Sequence, residues 1–148
     1  MTTSQRDIWS EWLLKRRFGD NPEQMKVVLD LLYPVRDKVL LNANLGENET
    51  LLDVGSGDGL IAFGALGKVN TSRVIFGEIS QDLLDHAQTI AQEMGVLNRC
   101  QFICASADNL SAIQNNSVDV VTTRSVLIYV PAKKQALCEF YRVLKPNG

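Results

Sequence analysis

Residues 51–59, with the sequence LLDVGSGDG, decide the fold. Apolar residues typical of a buried strand run directly into three closely spaced glycines, and a helix is predicted over residues 60–66 immediately afterwards. Glycine permits backbone angles and close approaches that a Cβ would block. The free amides at the start of the following helix favour an anionic ligand group. The turn taken alone is compatible with a ligand site and also with a tight turn that binds nothing.

Strands and helices alternate outward from this turn. Strands are predicted over residues 50–54, 73–79, 101–105 and 118–123, and helices over residues 60–66, 80–94 and 133–144. Ser80 is the expected N-cap of the second of these helices, and Gly95 is expected to end it. Such alternation predicts an α/β fold with a doubly wound, mainly parallel sheet that is covered by helices on both faces.

Helices also precede the first strand. Trp9 and Trp12 recur at helical spacing, which predicts an amphipathic helix over residues 5–17. Asn21 followed by Pro22 predicts an N-cap and first helical residue, and Pro34 is expected to interrupt this second helix, with a further helix over 35–43. We therefore divide the chain into an N-terminal helical extension or lid, residues 1–46, and a domain of residues 47–148.

Composition limits the function classes. The chain has 148 residues, 45% of them hydrophobic and 22% charged, with a net charge of −2. This balance provides no basic surface for nucleic acid or an anionic membrane, and no apolar run approaches a membrane span. We expect a cytoplasmic protein that binds no metal, with Cys100, Cys104 and Cys138 as buried free thiols.

The glycine spacing separates two ligand classes. A dinucleotide-binding turn has glycines at its first, third and sixth positions. Counted from Gly55, the sixth position is Leu60 and the fifth is Gly59, which argues against a nicotinamide-dependent oxidoreductase. Asp53 to Gly59 instead resembles the first motif of class I (Rossmann-like) S-adenosylmethionine-dependent methyltransferases. The resemblance implies that this loop wraps the methionine and ribose part of the cofactor.

Two acidic residues extend the resemblance. Glu78 ends the second strand, about 20 residues beyond the glycines, where the family's carboxylate accepts hydrogen bonds from the ribose hydroxyls. Asp108, after the third strand, resembles the residue that accepts from the adenine amino group, and Ile79 would contact the adenine ring. Taken singly, Glu78 could be an exposed strand-end carboxylate, Asp108 a turn or cap residue, and Ile79 a core residue.

The fourth strand and the last helix complete the resemblance. Residues 118–131 are similar to the family's fourth-strand motif, and residues 139–148 (EFYRVLKPNG) to the segment that leads into its fifth strand. The implied strand order is three-two-one-four, which places Thr123 and Arg124 at the border of the cofactor cleft. On this comparison we expect the chain to be truncated before that fifth strand, and strand four to be an open edge where copies of the chain could associate.

The expected function is methyl transfer from S-adenosylmethionine to a small-molecule acceptor of unknown identity, as in the quinone-biosynthesis type of methyltransferase that the chain resembles. The alternative is a non-catalytic module or inactive fragment that binds S-adenosylmethionine or S-adenosylhomocysteine. No catalytic base is evident: Arg124 and Tyr129 are the candidates, whereas His86 is expected to face away from the cleft. The predicted cofactor-binding residues are Asp53, Gly55, Ser56, Gly57, Gly59, Glu78, Ile79, Ala107, Asp108, Thr123 and Arg124.

Overall fold

A four-stranded parallel sheet organises residues 21–148, which are the part of the chain that the computed structural model describes. The predicted helix over residues 5–17, with Trp9 and Trp12, lies outside the described residues. Two short 3₁₀ helices, Leu97–Arg99 and Leu127–Tyr129, supplement the main elements. The main helices and strands are, in chain order, α1 (Pro22–Ala43), β1 (Thr50–Val54), α2 (Leu60–Lys68), β2 (Arg73–Glu78), α3 (Gln81–Glu93), β3 (Cys100–Cys104), β4 (Val120–Thr123) and α4 (Lys133–Val143).

The strand order is β3-β2-β1-β4, which confirms the predicted doubly wound α/β sheet. In the parallel register, Val54 of β1 lies beside Gly77 of β2 on one side and Thr123 of β4 on the other. The chain therefore winds in one direction from β1 to β3 and then crosses back to add β4. The carboxyl ends of β1 and β4 form the topological switch point, where open α/β sheets bind ligands.

Two hydrophobic clusters cover the two faces of the sheet. Side chains of a strand alternate between faces, so Leu52 and Val54 enter one cluster with α4, while Leu51 enters the other with α2. Phe76 is fully buried in the second cluster, where its ring centroid lies 4.9 Å from that of Phe102. Because β1 and β2 are buried on both faces, the strand ends beside them are held in fixed positions.

Helix α1 does not break at Pro34, so the predicted separate helix over residues 35–43 is wrong. The helix begins where expected, because the Asn21 side chain accepts a hydrogen bond from the Glu23 amide at 2.9 Å. Proline removes one helical hydrogen bond, but Pro34 is exposed, so water can satisfy the freed carbonyl. Further along, Leu40 is 3% exposed and packs in the core, which holds the second half of the helix in place.

The remaining differences concern strand ends and cysteines. β4 begins at Val120, two residues later than predicted, because Val118 instead forms an isolated parallel bridge with Leu144 after α4. Cys104 and Cys138 are exposed and Cys100 is partly buried, which corrects the expectation of buried thiols. β3 is an edge strand, and Cys138 faces outward on α4, so neither of the two exposed positions is covered by a second layer.

Candidate functional site

A cleft of about 780 Å³ opens at the carboxyl ends of the strands, at the switch point between β1 and β4. This volume is within the range of small-molecule and cofactor sites. Its walls come from four places: the turn after β1, the end of β2, the segment after β3 and the segment after β4. Leu32 of α1 adds an apolar contact at the cleft wall.

The turn after β1 holds its shape through glycines and through β2. Gly55, Gly57 and Gly59 all have positive φ angles, of 71°, 56° and 91°, which most side chains avoid. The Gly55 amide donates to the Gly77 carbonyl at 2.7 Å. A Cβ at position 55 would overlap the side chain of Val126, so the missing side chain lets the segment after β4 pack directly on the turn.

Glu78 is a buried carboxylate that faces the turn, so it is not an exposed strand-end residue. Its Oε2 accepts a hydrogen bond from the Gly57 amide at 2.8 Å, and its Oε1 accepts from the amides of Ile79 and Ser80 at 2.9 and 3.2 Å. A carboxylate has about four acceptor positions. Glu78 therefore ties the glycine turn to the end of β2 and keeps acceptor capacity at the cleft wall.

Asp53 lies on the cleft floor and is 2% exposed. Burial raises the pKa of its carboxyl group to about 7, and the nearby carboxylates of Glu78 and Asp58 act in the same direction. Hydrogen bonds from the Thr122 hydroxyl, at 2.9 Å, and from the Ala62 amide lower the pKa and oppose part of this effect. Asp53 thus changes its charge near neutral pH, and a cationic ligand group beside it would favour the ionised form.

The segment after β3 lines the cleft on the side away from β4, since β3 and β4 are the two edge strands of the sheet. Ala107 and Asp108 line it, and the Ser106 hydroxyl donates to Asp108 Oδ1 at 2.5 Å. Ile79 also lines the cleft and is 53% exposed, so its side chain is available to a ligand and is not part of the core. An apolar side chain and a carboxylate at one end can accept a flat ring that carries an amino group.

The segment after β4 supplies Arg124 and a largely apolar wall, whose other members are Ser125, Val126, Tyr129, Val130 and Pro131. Ser125 has a positive φ of 58°, which for a residue other than glycine marks a constrained turn. The Ser56 hydroxyl, on the glycine turn, is buried and lacks a hydrogen-bond partner within the described residues. A polar ligand group in the cleft would satisfy it.

All predicted cofactor-binding residues line this cleft except Gly59 and Thr123. Gly59 serves the turn itself, since a Cβ there would lie 2.5 Å from the Phe63 ring. Both catalytic candidates, Arg124 and Tyr129, line the cleft, whereas His86 is exposed on α3 and does not. The sequence analysis did not predict Leu32 as a cleft residue. Its place in the apolar pattern of α1 does not indicate that the helix packs beside the cleft.

Two further observations concern the described residues only. No cluster of three or more His, Cys, Asp or Glu side chains in residues 21–148 is arranged to hold a metal ion. Over the same range, no helix combines the length and apolarity needed to cross a bilayer.

Comparisons with known proteins agree with the geometry. A family model described as a methyltransferase domain matches residues 51–148, which include α4 and all four strands except Thr50, the first residue of β1. The ubiquinone/menaquinone biosynthesis C-methyltransferase UbiE of Rickettsia prowazekii is 30% identical over 148 residues, covering 93% of this chain and 58% of that protein. The tRNA 5-carboxymethoxyuridine methyltransferase of Escherichia coli is 29% identical, covering 96% of this chain and 52% of that protein.

A solved structure supports the fold. The methyltransferase in complex with the Haloferax volcanii Trm112 methyltransferase activator superposes with a TM-score of 0.78 at 22% identity, covering 98% of this chain and 59% of that one. The chain thus spans little more than half the length of the relatives that it matches.

Proposed function

The chain belongs to the methyltransferase domain family, and on this premise we propose that its cleft binds S-adenosylmethionine for methyl transfer to a small-molecule acceptor. One observation carries the proposal. A glycine turn and three carboxylates, those of Asp53 in β1, Glu78 at the end of β2 and Asp108 in the segment after β3, line a single cleft at the switch point. The residues that the family resemblance assigned to the cofactor are therefore close together in space.

The residues fit the parts of this cofactor. The amino-acid end would lie against the glycine turn, where the buried Ser56 hydroxyl needs a partner and Asp53 can balance a positive charge. Glu78 would accept from the ribose hydroxyls through the acceptor capacity that its three backbone donors leave. Asp108 would accept from the adenine amino group, with Ile79 against the ring. Gly59 and Thr123 do not line the cleft. They would contribute indirectly, Gly59 by allowing the shape of the glycine turn and Thr123 by ending β4 beside it.

S-adenosylmethionine, when bound, supplies a methyl group that a sulfonium already activates. The work left to the chain is alignment, which contributes about 7–11 kcal/mol in the best intramolecular models. The apolar wall of Val126, Val130 and Pro131 would exclude water and hold the body of the acceptor. Arg124 can hold an anionic acceptor group, and the Tyr129 hydroxyl can exchange a proton with an acceptor that must be deprotonated.

A small molecule fits this cleft better than a nucleic acid does. The relatives include both kinds of enzyme by name. In this chain, however, the net charge is −2, and among residues 21–148 Arg124 is the one basic residue lining the cleft. Nucleic-acid sites need several cationic side chains to neutralise phosphates. We therefore propose an enzyme that acts on a small molecule, and we also propose that it is cytoplasmic. The division into residues 1–46 and 47–148 remains a prediction, because residues 1–20 lie outside the described part of the chain.

Isothermal titration calorimetry tests the cofactor assignment. We expect S-adenosylmethionine and S-adenosylhomocysteine each to bind at one site per chain, and NAD not to bind. NAD binding in place of both adenosyl ligands would overturn the proposal. Cofactor binding without methyl transfer to any acceptor, also in a chain lengthened to match the relatives, would instead favour a non-catalytic binding module.

A further inference from the structure

The adenine end of the proposed site depends on a long segment without regular structure. Residues 105–117, between β3 and the bridge at Val118, contain no helix and no strand. Loops of this length inside a compact domain need other contacts to keep one conformation. Ala107 and Asp108, which line the cleft, lie within this segment. Their positions are therefore set by whatever holds the segment in place.

An ion pair on α4 holds the middle of the segment. Arg142 has five N–H donors, and the structure gives each of them an acceptor. Nε and Nη2 donate to the two carboxylate oxygens of Glu139 at 2.7 and 2.9 Å. The remaining donors reach the carbonyls of Leu110 at 2.9 Å and Ile113 at 2.8 Å, and the Asn115 side chain at 2.7 Å. One guanidinium thus binds three points of the segment.

Glu139 adds a fourth contact to the same segment. Its Oε2 accepts a hydrogen bond from the Leu110 amide at 2.7 Å, so the pair holds both backbone groups of that residue. The Glu139 residue is 9% exposed, and the hydrogen bonds from Arg142 lower the pKa of its carboxyl group. The carboxylate therefore stays charged at neutral pH. The Leu110 side chain is fully buried in the core, which makes this residue a fixed point of the segment.

The other end of the segment is fixed at the cleft. The Ala105 amide donates to the carbonyl of Glu78 at 3.1 Å, which continues the β2–β3 pairing by one residue. Between these two fixed points, the Asn109 amide donates to the Ser106 carbonyl at 3.1 Å and closes a tight turn. Asp108 lies in that turn, only two residues from Leu110. A shift of Leu110 would therefore move the Asp108 carboxylate.

We propose that Glu139 and Arg142 are positioning residues for the adenine end of the cleft. Neither residue lines the cleft, so they act by holding the turn that presents Ala107 and Asp108 to the base. This inference rests on the proposed function, because only a bound adenosyl group makes that end of the cleft an adenine site. It assigns to the Glu-x-x-Arg pair of α4 a role in ligand discrimination as well as in stability.

The test compares two Arg→Lys variants. Arg142→Lys keeps the charge but loses the planar fork and two of the five donors. Arg99→Lys is the matched control. Arg99 also donates to backbone carbonyls, those of Leu66, Val69 and Ser72 at 3.0, 2.6 and 2.9 Å, but it does not line the cleft. Both variants should be less stable, and only Arg142→Lys should bind S-adenosylhomocysteine at least about tenfold more weakly.

Base discrimination separates positioning from general destabilisation. The ratio of Kd for S-inosylhomocysteine, which lacks the adenine amino group, to Kd for S-adenosylhomocysteine is measured well below the Tm of each variant. We expect this ratio to fall towards one in Arg142→Lys and to keep its wild-type value in Arg99→Lys. An unchanged ratio and affinity in folded Arg142→Lys would overturn the proposal.

Two additional results keep the test decisive. If Arg142→Lys does not fold, Glu139→Gln replaces it, because glutamine keeps an acceptor for the Leu110 amide and loses the charge that orients Arg142. The same loss of discrimination is expected there, and wild-type discrimination would contradict the proposal. Failure of the wild-type chain to bind S-adenosylhomocysteine would refute the proposed function itself, which is a distinct outcome.

Discussion

Replacing Asp53 by asparagine should remove a large part of the pH dependence of folding stability. The pKa of this buried carboxyl is raised from 3.8 to about 7, mainly by burial. Between these two values the native state holds a proton on Asp53 that the unfolded chain has released. The stabilisation is complete below pH 3.8 and is lost as the pH rises through 7. Asparagine does not titrate, so the variant lacks this contribution.

The magnitude follows from the shift. One pKa unit corresponds to 1.36 kcal/mol, so a shift from 3.8 to about 7 amounts to about 4 kcal/mol between the acidic and alkaline limits. Between pH 5 and pH 8 the linkage relation gives a loss of about 3 kcal/mol. For a domain of this size, that loss lowers the Tm by about 6–12 °C.

Urea unfolding of the wild type and of Asp53→Asn at pH 5, 6, 7 and 8 measures the effect. From pH 5 to pH 8 the free energy of unfolding of the wild type should fall by about 3 kcal/mol relative to that of Asp53→Asn, because only the wild type loses the Asp53 proton over this range. Asp30→Asn, at an exposed carboxylate on α1, is the control and should keep the wild-type slope. Equal slopes for the wild type and Asp53→Asn would refute the argument that Asp53 is protonated in the native state near neutral pH.

The proton on Asp53 should also be released when a ligand binds in the cleft. If a cationic ligand group binds beside Asp53, it lowers the pKa of the carboxyl group, so binding releases protons near pH 7. Calorimetry of S-adenosylhomocysteine binding in buffers of different ionisation enthalpy measures this release. We expect about half a proton per ligand in the wild type and close to none in Asp53→Asn. Equal proton release in both would place the charge change on another group.

Three other predictions concern the turn, the ribose carboxylate and the sheet edge. Gly55→Ala places a side chain at a positive φ and against Val126, so it should lower the free energy of unfolding by about 1–3 kcal/mol. Gly67→Ala, in open space on α2, should raise it by up to about 1 kcal/mol; thermal unfolding measures both changes. Glu78→Ala should weaken S-adenosylhomocysteine binding more than tenfold in calorimetry, with the fold retained. Glu93→Ala, which removes an exposed carboxylate of α3, should leave the affinity unchanged. An unchanged affinity in Glu78→Ala would remove the ribose assignment. The outer side of β4 has no partner strand over Val120–Thr123 within residues 21–148, so the chain should self-associate more than a version lengthened to match its relatives; light scattering that finds both monomeric would contradict this.

Local sequence signals were enough to predict the sheet and the turn. Glycines at 55, 57 and 59 require a particular backbone, and the buried strand before them has few alternative structures. The strand order and the role of Glu78 came from the family resemblance, because spacing along the chain does not show which strand ends meet. The break at Pro34 was predicted wrongly for a related reason: tertiary packing at Leu40 overrides the local preference of proline.

The positioning pair on α4 was not predicted, and the reason is also physical. Glu139 and Arg142 are three residues apart, which is an ordinary spacing for an ion pair on an exposed helix face. Nothing in that spacing indicates that the guanidinium reaches carbonyls about 30 residues earlier in the chain. Such contacts depend on the path of an irregular segment, which the sequence does not determine locally. Sequence reasoning therefore missed these long-range polar contacts, as it missed the approach of Leu32 to the cleft.

The charge of the cleft gives a second argument about its ligand, independent of the glycine spacing. Asp53, Asp58 and Glu78 all line the end of the cleft nearest the glycine turn, and their mutual repulsion contributes to the raised pKa of Asp53. A pyrophosphate placed there would add two negative charges to an already acidic region, where burial strengthens the repulsion. A ligand with an ammonium group, hydroxyl donors and a sulfonium would instead relieve it. The same acidic turn that disfavours a dinucleotide thus favours an adenosyl amino acid.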